Sequence, residues 1–201
     1  MNTIMMRGVS AADGTTKARI ERAALTLFAE HGVDGVSTKQ IASEAGISEG
    51  AIYRHFSGKE DLARTLMRTI HGRLTDMIRL AAHDNETLAG QIRFIVRHYC
   101  RIADDDWMLF QYHILHLHHF PRLSDGPEES PIGAAAELLK AAMSRGEIAK
   151  SDAYVLAAMA LGTVLQAAQA KVFGYITGPL SERGELFTRA ILAVLDLEKE
   201  G

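Results

Sequence analysis

All four prolines of this chain (Pro121, Pro127, Pro131, Pro179) fall after residue 120, and alanine and leucine together supply 50 of its 201 residues. The first 120 residues therefore lack the side chain most hostile to a helix interior and are rich in strong helix formers. No stretch sustains the period-two alternation of a half-buried strand. These features predict an all-α fold. With 47% apolar residues the chain can bury a sizeable core, which excludes a disordered or collagen-like polymer.

Charge and cysteine content narrow the partners. The formal net charge is −3. It divides unevenly: ten cations face eight carboxylates through residue 73, and twelve face seventeen beyond it. Bulk positive charge is thus not a means of coating nucleic acid or anionic membrane, although a local basic surface remains open. Cys100 is the only cysteine, so neither an internal disulfide nor a Cys-based zinc finger is available. MNTIMMRGVS lacks the apolar stretch of a signal peptide. The most apolar run, Ala153 to Leu165, is 13 residues long and is followed by Gln166, Gln169 and Lys171. That is short for a bilayer span. A soluble cytoplasmic protein is expected.

Punctuation divides the chain into about nine helices: 15–31, 38–45, 49–55, 59–82, 86–103, 106–119, 132–146, 152–176 and 182–199. In the first, Ile20, Ala24, Leu27 and Phe28 share one stripe, and Gly32 follows the end. Ser37 with Gln40, and Ser57 with Glu60, have capping-box spacing. Ser48 caps the helix between them, just after Gly46. The expected organisation is a flexible arm over 1–14, a helix-turn-helix domain over 15–62 and a helical domain over 63–201. The polar loop 121–131 is expected to be mobile.

Helix, glycine-containing turn, helix makes a specific claim. The second helix must enter a major groove with its N-terminal end facing base edges. Ser48, Glu49, Gly50 and Ala51 suit that end. The two small residues allow close approach, Ala51 can meet a thymine methyl, and Glu49 can accept from cytosine N4. Ile47 and Ile52 form the core seam. Tyr53, His55 and Lys59 suit flanking phosphates, and Thr38 and Lys39 open the preceding helix. Each residue has a plainer role open to it: Tyr53 and Phe56 as core, Glu49 as a helix-dipole partner, His55 and Lys59 as solvated surface.

The ordered set Ala45-Gly46-Ile47-Ser48, Ala51-Ile52-Tyr53-Arg54-His55-Phe56 and Lys59-Glu60-Asp61-Leu62 resembles the DNA-binding domain of the tetracycline-repressor (TetR) family of bacterial transcription regulators. The resemblance covers roughly residues 15–65. It implies a nine-helix homodimer that binds a palindromic operator and, in its variable C-terminal domain, a small inducer. In that pattern Thr38, Ser48, Tyr53, His55 and Lys59 match phosphate-touching positions. Lys39, Glu49, Gly50 and Ala51 match positions near bases, and Arg54 falls at a variable one.

The remaining two thirds carry weaker signals. The last two helices have broad apolar surfaces, which predicts a four-helix dimer interface through Leu156, Met159, Val164, Leu186, Ile191 and Leu195. An intramolecular core is the alternative. Phe94, Tyr99, Trp107 and Met108 are candidates to line an apolar effector pocket, together with Phe110, His113, Met159 and Phe173; plain core is equally open to them. His113, His116 and His119 recur at i, i+3 spacing. They fit partly buried histidines, a pH-responsive pocket or, weakly, a divalent-metal site with His113 and His116 as ligands. Cys100 reads as core or redox sensor. No nucleophile elbow, phosphate loop or HExxH pair is present, so no catalytic residue and no cofactor is expected. The expected function is a ligand-responsive repressor released from its operator by a small, largely apolar effector. The alternatives are a histidine-based metal protein or enzyme, and a DNA-binding protein without an effector.

Overall fold

Most helices of this chain begin where a short polar side chain can take up the free amides of a first turn. In a computed structural model of the chain we describe residues 14–120, 123, 126 and 129–197. Among them are nine α-helices and no strand. The N-terminal arm expected to residue 14, and most of the 121–131 loop, lie outside the described residues. The described residues form two compact units, one of residues up to Ile70 together with Asp106–Leu123, the other of His71–Asp105 and the chain from Ser124.

The first unit contains α1 (Thr16–His31), α2 (Thr38–Glu44), α3 (Glu49–Ile52), the first half of α4 (Lys59–Asp84) and α6 (Trp107–His116). Thr15 caps α1, and the Ser37–Gln40 capping box is formed in both directions. Gly32 ends α1 at φ 72°, its amide on the Phe28 carbonyl at 3.0 Å. α1 buries seven side chains, more than one stripe, because α2 lies on one side of it and α6 on another. Phe28 stacks on Tyr112 of α6 at 6.1 Å, and the buried Tyr112 hydroxyl donates to the Ala63 carbonyl at 2.8 Å. Asp106 caps α6 through the Leu109 amide and pairs with Arg22 of α1 at 2.7 Å.

Two local expectations change. α3 is four residues long instead of the seven of 49–55. The amides of His55 and Phe56 both turn back onto the Ile52 carbonyl, at 2.9 and 3.0 Å, which drops Phe56 into the core. The second capping box does not form, because α4 starts one residue later than it requires. Asp61, not Glu60, accepts from the Ser57 amide at 2.9 Å.

The second unit is built from the rest of α4, α5 (Leu88–Asp105), α7 (Pro131–Arg145), α8 (Ala153–Val172) and α9 (Gly184–Val194). Ser130 and Asp152 cap α7 and α8, with Pro131 in the first turn of α7. Two carboxylates tie its connections. Glu147 caps α5 by accepting from the Leu88 amide at 2.6 Å, and Asp104 accepts from the amides of Leu180 and Ser181 at 2.8 and 2.9 Å. Burial would raise both carboxyls, but the Ser181 hydroxyl, the amides of Ser181 and Leu180, and Lys171 hold Asp104 below its usual range, and the Leu88 amide with Arg145 does so for Glu147.

α8 stops at Val172, short of the expected 176, where Gly174 takes φ 79° and the Tyr175 amide closes onto Ala170. It also continues well past Leu165, as Ala167, Ala168, Ala170 and Val172 extend the apolar surface. By length and composition alone α8 can cross a membrane: an 18-residue window has mean hydropathy 1.4, and only 22% of it is buried.

Candidate nucleic-acid interface

The small-polar start of α3 is exposed. Lys39, Ser48, Glu49, Gly50, Arg54 and His55 are all exposed, and Tyr53 is 55% exposed. A Cβ built at Gly50 would meet nothing within 4 Å, so another backbone can approach there. Ser48 makes no side-chain cap bond, which leaves its hydroxyl available. Thr38 is half-buried and its hydroxyl donates to Glu49 at 2.6 Å, with the Tyr53 hydroxyl 3.4 Å away. One hydroxyl thus links the start of α2 to the start and end of α3.

Two expected contacts are corrected. Ala51 is 4% exposed and packs inward, so it cannot meet a thymine methyl. Lys59 is occupied: its ammonium donates to the carbonyls of Val33, Asp34 and Val36 at 2.9, 3.1 and 2.9 Å. It closes the α1–α2 loop, and all three of its donors are used there. That loop is tight, since a Cβ on Gly35 would sit 2.4 Å from the His31 carbonyl oxygen. An open concavity of about 510 Å³ lies beside it, lined by Gly35, Ser37, Thr38, Gln40, Tyr53 and Lys59 among others. None of the expected effector-pocket residues borders it.

Those pocket candidates are spread over two units. Trp107, Met108, Phe110 and His113 belong to the first, Phe94, Tyr99, Met159 and Phe173 to the second. Phe110 and His113 are core residues of the first unit, at 2% and 4% exposure. Phe94 stacks on His98 at 3.9 Å. Met159 and Phe173 are exposed, not cavity-facing within the chain.

The expected dimer residues also divide. Val164, Ile191 and Leu195 are buried within the protomer, where they belong to its own core. Leu156 is half-buried, and Met159 and Leu186 are exposed at 50% and 54%, with Val155 at 54% beside them.

The histidines do not converge. Among the described residues no group of three His, Cys, Asp or Glu side chains forms a set that could hold a metal. His116 bonds through Nε2 to the Phe28 carbonyl at 3.1 Å, and burial lowers its pKa against the opposing pull of that bond. His113 instead meets the edge of Phe110. Burial, then the Asp104 charge, pushes the Cys100 thiol up to about 11, which fits a core residue better than a reactive thiol. Sequence reading missed Arg19, whose Nη2 reaches the Ala45 and Gly46 carbonyls. On a partly exposed helical face nothing in residue type separates it from a solvated cation.

An all-helical fold with a helix-turn-helix near its N-terminus is an arrangement by which one class of regulators reads DNA. Residues 20–66 match the family of bacterial regulatory proteins, tetR family. An HTH-type transcriptional regulator of Staphylococcus aureus (strain USA300) is 50% identical over 46 residues, covering 23% of this chain and 25% of that relative. The match therefore spans about a quarter of the relative's length.

Two solved structures share the fold over nearly the whole chain. The transcriptional regulator FadR from Bacillus subtilis in complex with stearoyl-CoA has a TM-score of 0.76 at 19% identity, covering 88% of this chain and 97% of that one. SmeT, the repressor of the Stenotrophomonas maltophilia multidrug efflux pump SmeDEF, has 0.70 at 24%, covering 90% of each. Similarity to the tetR family of bacterial regulatory proteins is thus carried by residues 20–66, and the two solved structures add likeness of fold.

Proposed function

We propose that this chain is a cytoplasmic, dimeric transcriptional repressor that a small, largely apolar effector releases from a palindromic operator. The observation that carries the reading is the exposed polar start of α3, braced to α2 through Thr38 and Glu49. Base contact falls to Lys39, Glu49 and Gly50. Thr38, Ser48, Tyr53 and His55 meet phosphates, and Arg54 stands at the edge of the same surface. The DNA-reading part corresponds to residues 15–62, and residues 63–201 carry effector binding and dimerisation. The activity is binding, not catalysis.

The exposed apolar residues Val155, Met159 and Leu186 support pairing of α8 and α9 with a second copy, as an isologous interface. That pairing also accounts for the apolar surface of α8 without a bilayer. An effector with a large apolar part is supported by the similar folds solved with stearoyl-CoA, through its acyl chain, and with triclosan. α4 runs through both units. A shift in its population on ligand binding would change the separation of the two α3 helices, which must match roughly one DNA turn of about 34 Å.

Selection of bound duplexes from a random pool, repeated with stearoyl-CoA and with triclosan, tests the reading. An enriched palindrome, and its loss with a ligand, is expected. A pool that stays random refutes DNA reading. An enriched site insensitive to both ligands refutes release by an acyl-CoA or a triclosan-like effector.

A further inference from the structure

A four-residue helix closes too few internal bonds to hold its own direction. α3 has four residues and lacks a side-chain cap at Ser48. Its pose is set by the Thr38–Glu49 bond, by the burial of Ala51 and Ile52, and by the turn that precedes it. There α2 ends at Ala45, Gly46 takes φ 64°, and the Ile47 amide returns to the Ala42 carbonyl at 3.0 Å. Carbonyls at a helix C-terminus lack helical partners and carry the negative end of the dipole.

A guanidinium from α1 meets this end. Arg19 Nη2 donates to the carbonyl oxygens of Ala45 at 2.5 Å and Gly46 at 3.0 Å. A Cβ on residue 46 would lie 3.0 Å from that same nitrogen, so the glycine both makes the turn and leaves room for the cation. Arg19 thus ties α1 to the turn that leads from α2 into α3. Base readout tolerates displacements of only about 0.5 Å, so aim decides discrimination more than it decides attraction to phosphate.

We propose that Arg19 is a positioning residue for DNA reading: its two bonds to the α2–α3 turn fix the pose of α3, and it is not a phosphate contact. The proposal rests on the DNA-reading function proposed above. Its signature is a loss of sequence discrimination at constant electrostatic affinity.

The test uses the full chain as wild type, Arg19→Ala and Arg19→Lys, with two independent readouts. Hydrogen exchange at the Gly46 and Ile47 amides needs no DNA. It should quicken at least tenfold in Arg19→Ala relative to core amides of α1, and unchanged exchange refutes the clamp whatever the DNA result. Binding is then measured against the selected duplex and a random duplex over a salt series. Arg19→Ala should lose at least tenfold on the selected duplex and less than twofold on the random one, with an unchanged salt slope, and Arg19→Lys should recover most of the loss. Equal losses on both duplexes, with a slope lower by about 0.9 per protomer, would make Arg19 a phosphate contact. Lower melting temperature with intact operator affinity would make it purely structural. Both results overturn the proposal. A wild-type chain that enriches no sequence refutes DNA reading itself, and is distinguishable because the exchange result stands apart from it.

Discussion

Replacing Lys59 by methionine keeps the aliphatic stem and removes the ammonium, so it isolates the three carbonyl bonds that close the α1–α2 loop. The bonds to Val33 and Val36 are part-buried and 2.9 Å long, whereas the Asp34 carbonyl at 3.1 Å is exposed. A charge-assisted bond contributes about 1.5 kcal/mol at the lower end of its range, and water can replace the exposed one. Two such bonds give a loss of about 3 kcal/mol. For a chain of this size that corresponds to a fall in Tm of roughly 6–12 °C. Differential scanning calorimetry reads this value, and operator binding over a salt series reads the other half of the reasoning. With every donor engaged on backbone, Lys59 releases no counterion from DNA, so Lys59→Met should leave the salt slope unchanged. A slope lower by about 0.9 per protomer with Tm held within about 2 °C would refute the reasoning and return Lys59 to the phosphates.

Gly35→Ala places a methyl 2.4 Å from the His31 carbonyl oxygen, and a loss of at least about 2 kcal/mol in urea denaturation is expected; a change under about 0.5 kcal/mol contradicts the close approach. Acidification should lower the urea midpoint in two stages. His71 and His116 have folded pKa values below the ordinary 6.5, so folding excludes protons there and stability falls as pH drops below 6.5. Asp104 and Glu147 lie below their ordinary 3.8 and 4.5, so their contribution is complete above those values and is lost as pH falls through the folded ones. His116→Gln should shrink the first stage only and Glu147→Gln the second only; any other pairing contradicts the assignment. Val155→Asp and Met159→Arg sit on residues 54% and 50% exposed in the protomer, so folding should survive. In the proposed dimer each would bury an unpaired charge at a cost of about 3 kcal/mol, more than a hundredfold in the dimer constant. Sedimentation equilibrium showing unchanged dimers would place the interface elsewhere.

Much of the helix-turn-helix was legible because its determinants are local. The Ser37–Gln40 box, the glycine turns at Gly32 and Gly46, and the polar start of α3 each act over three or four residues, a range that spacing alone describes. The same reasoning overran at α3, since the backbone return to Ile52 depends on where Phe56 finds its core. It also misread Lys59 as an available cation, because its acceptors lie more than twenty residues away in the chain.

By itself the sequence determined that the chain is helical, where most helices begin, and that a helix-turn-helix occupies its N-terminal part. Propensity, caps and periodicity are properties of neighbouring residues and survive without a fold. Only the tertiary structure decided what each shared side chain does. It gave Ala51 to the core, Lys59 to a loop and Arg19 to a turn, and it set α6 against α1 rather than with the apolar helices that α6 resembles in composition. It also separated Val164, Ile191 and Leu195, buried within the protomer, from Val155, Met159 and Leu186, left exposed. The reason is common to all of them. An apolar face or a cation states that a partner is needed, and the partner itself is chosen by the long-range packing that brings distant residues within bonding distance.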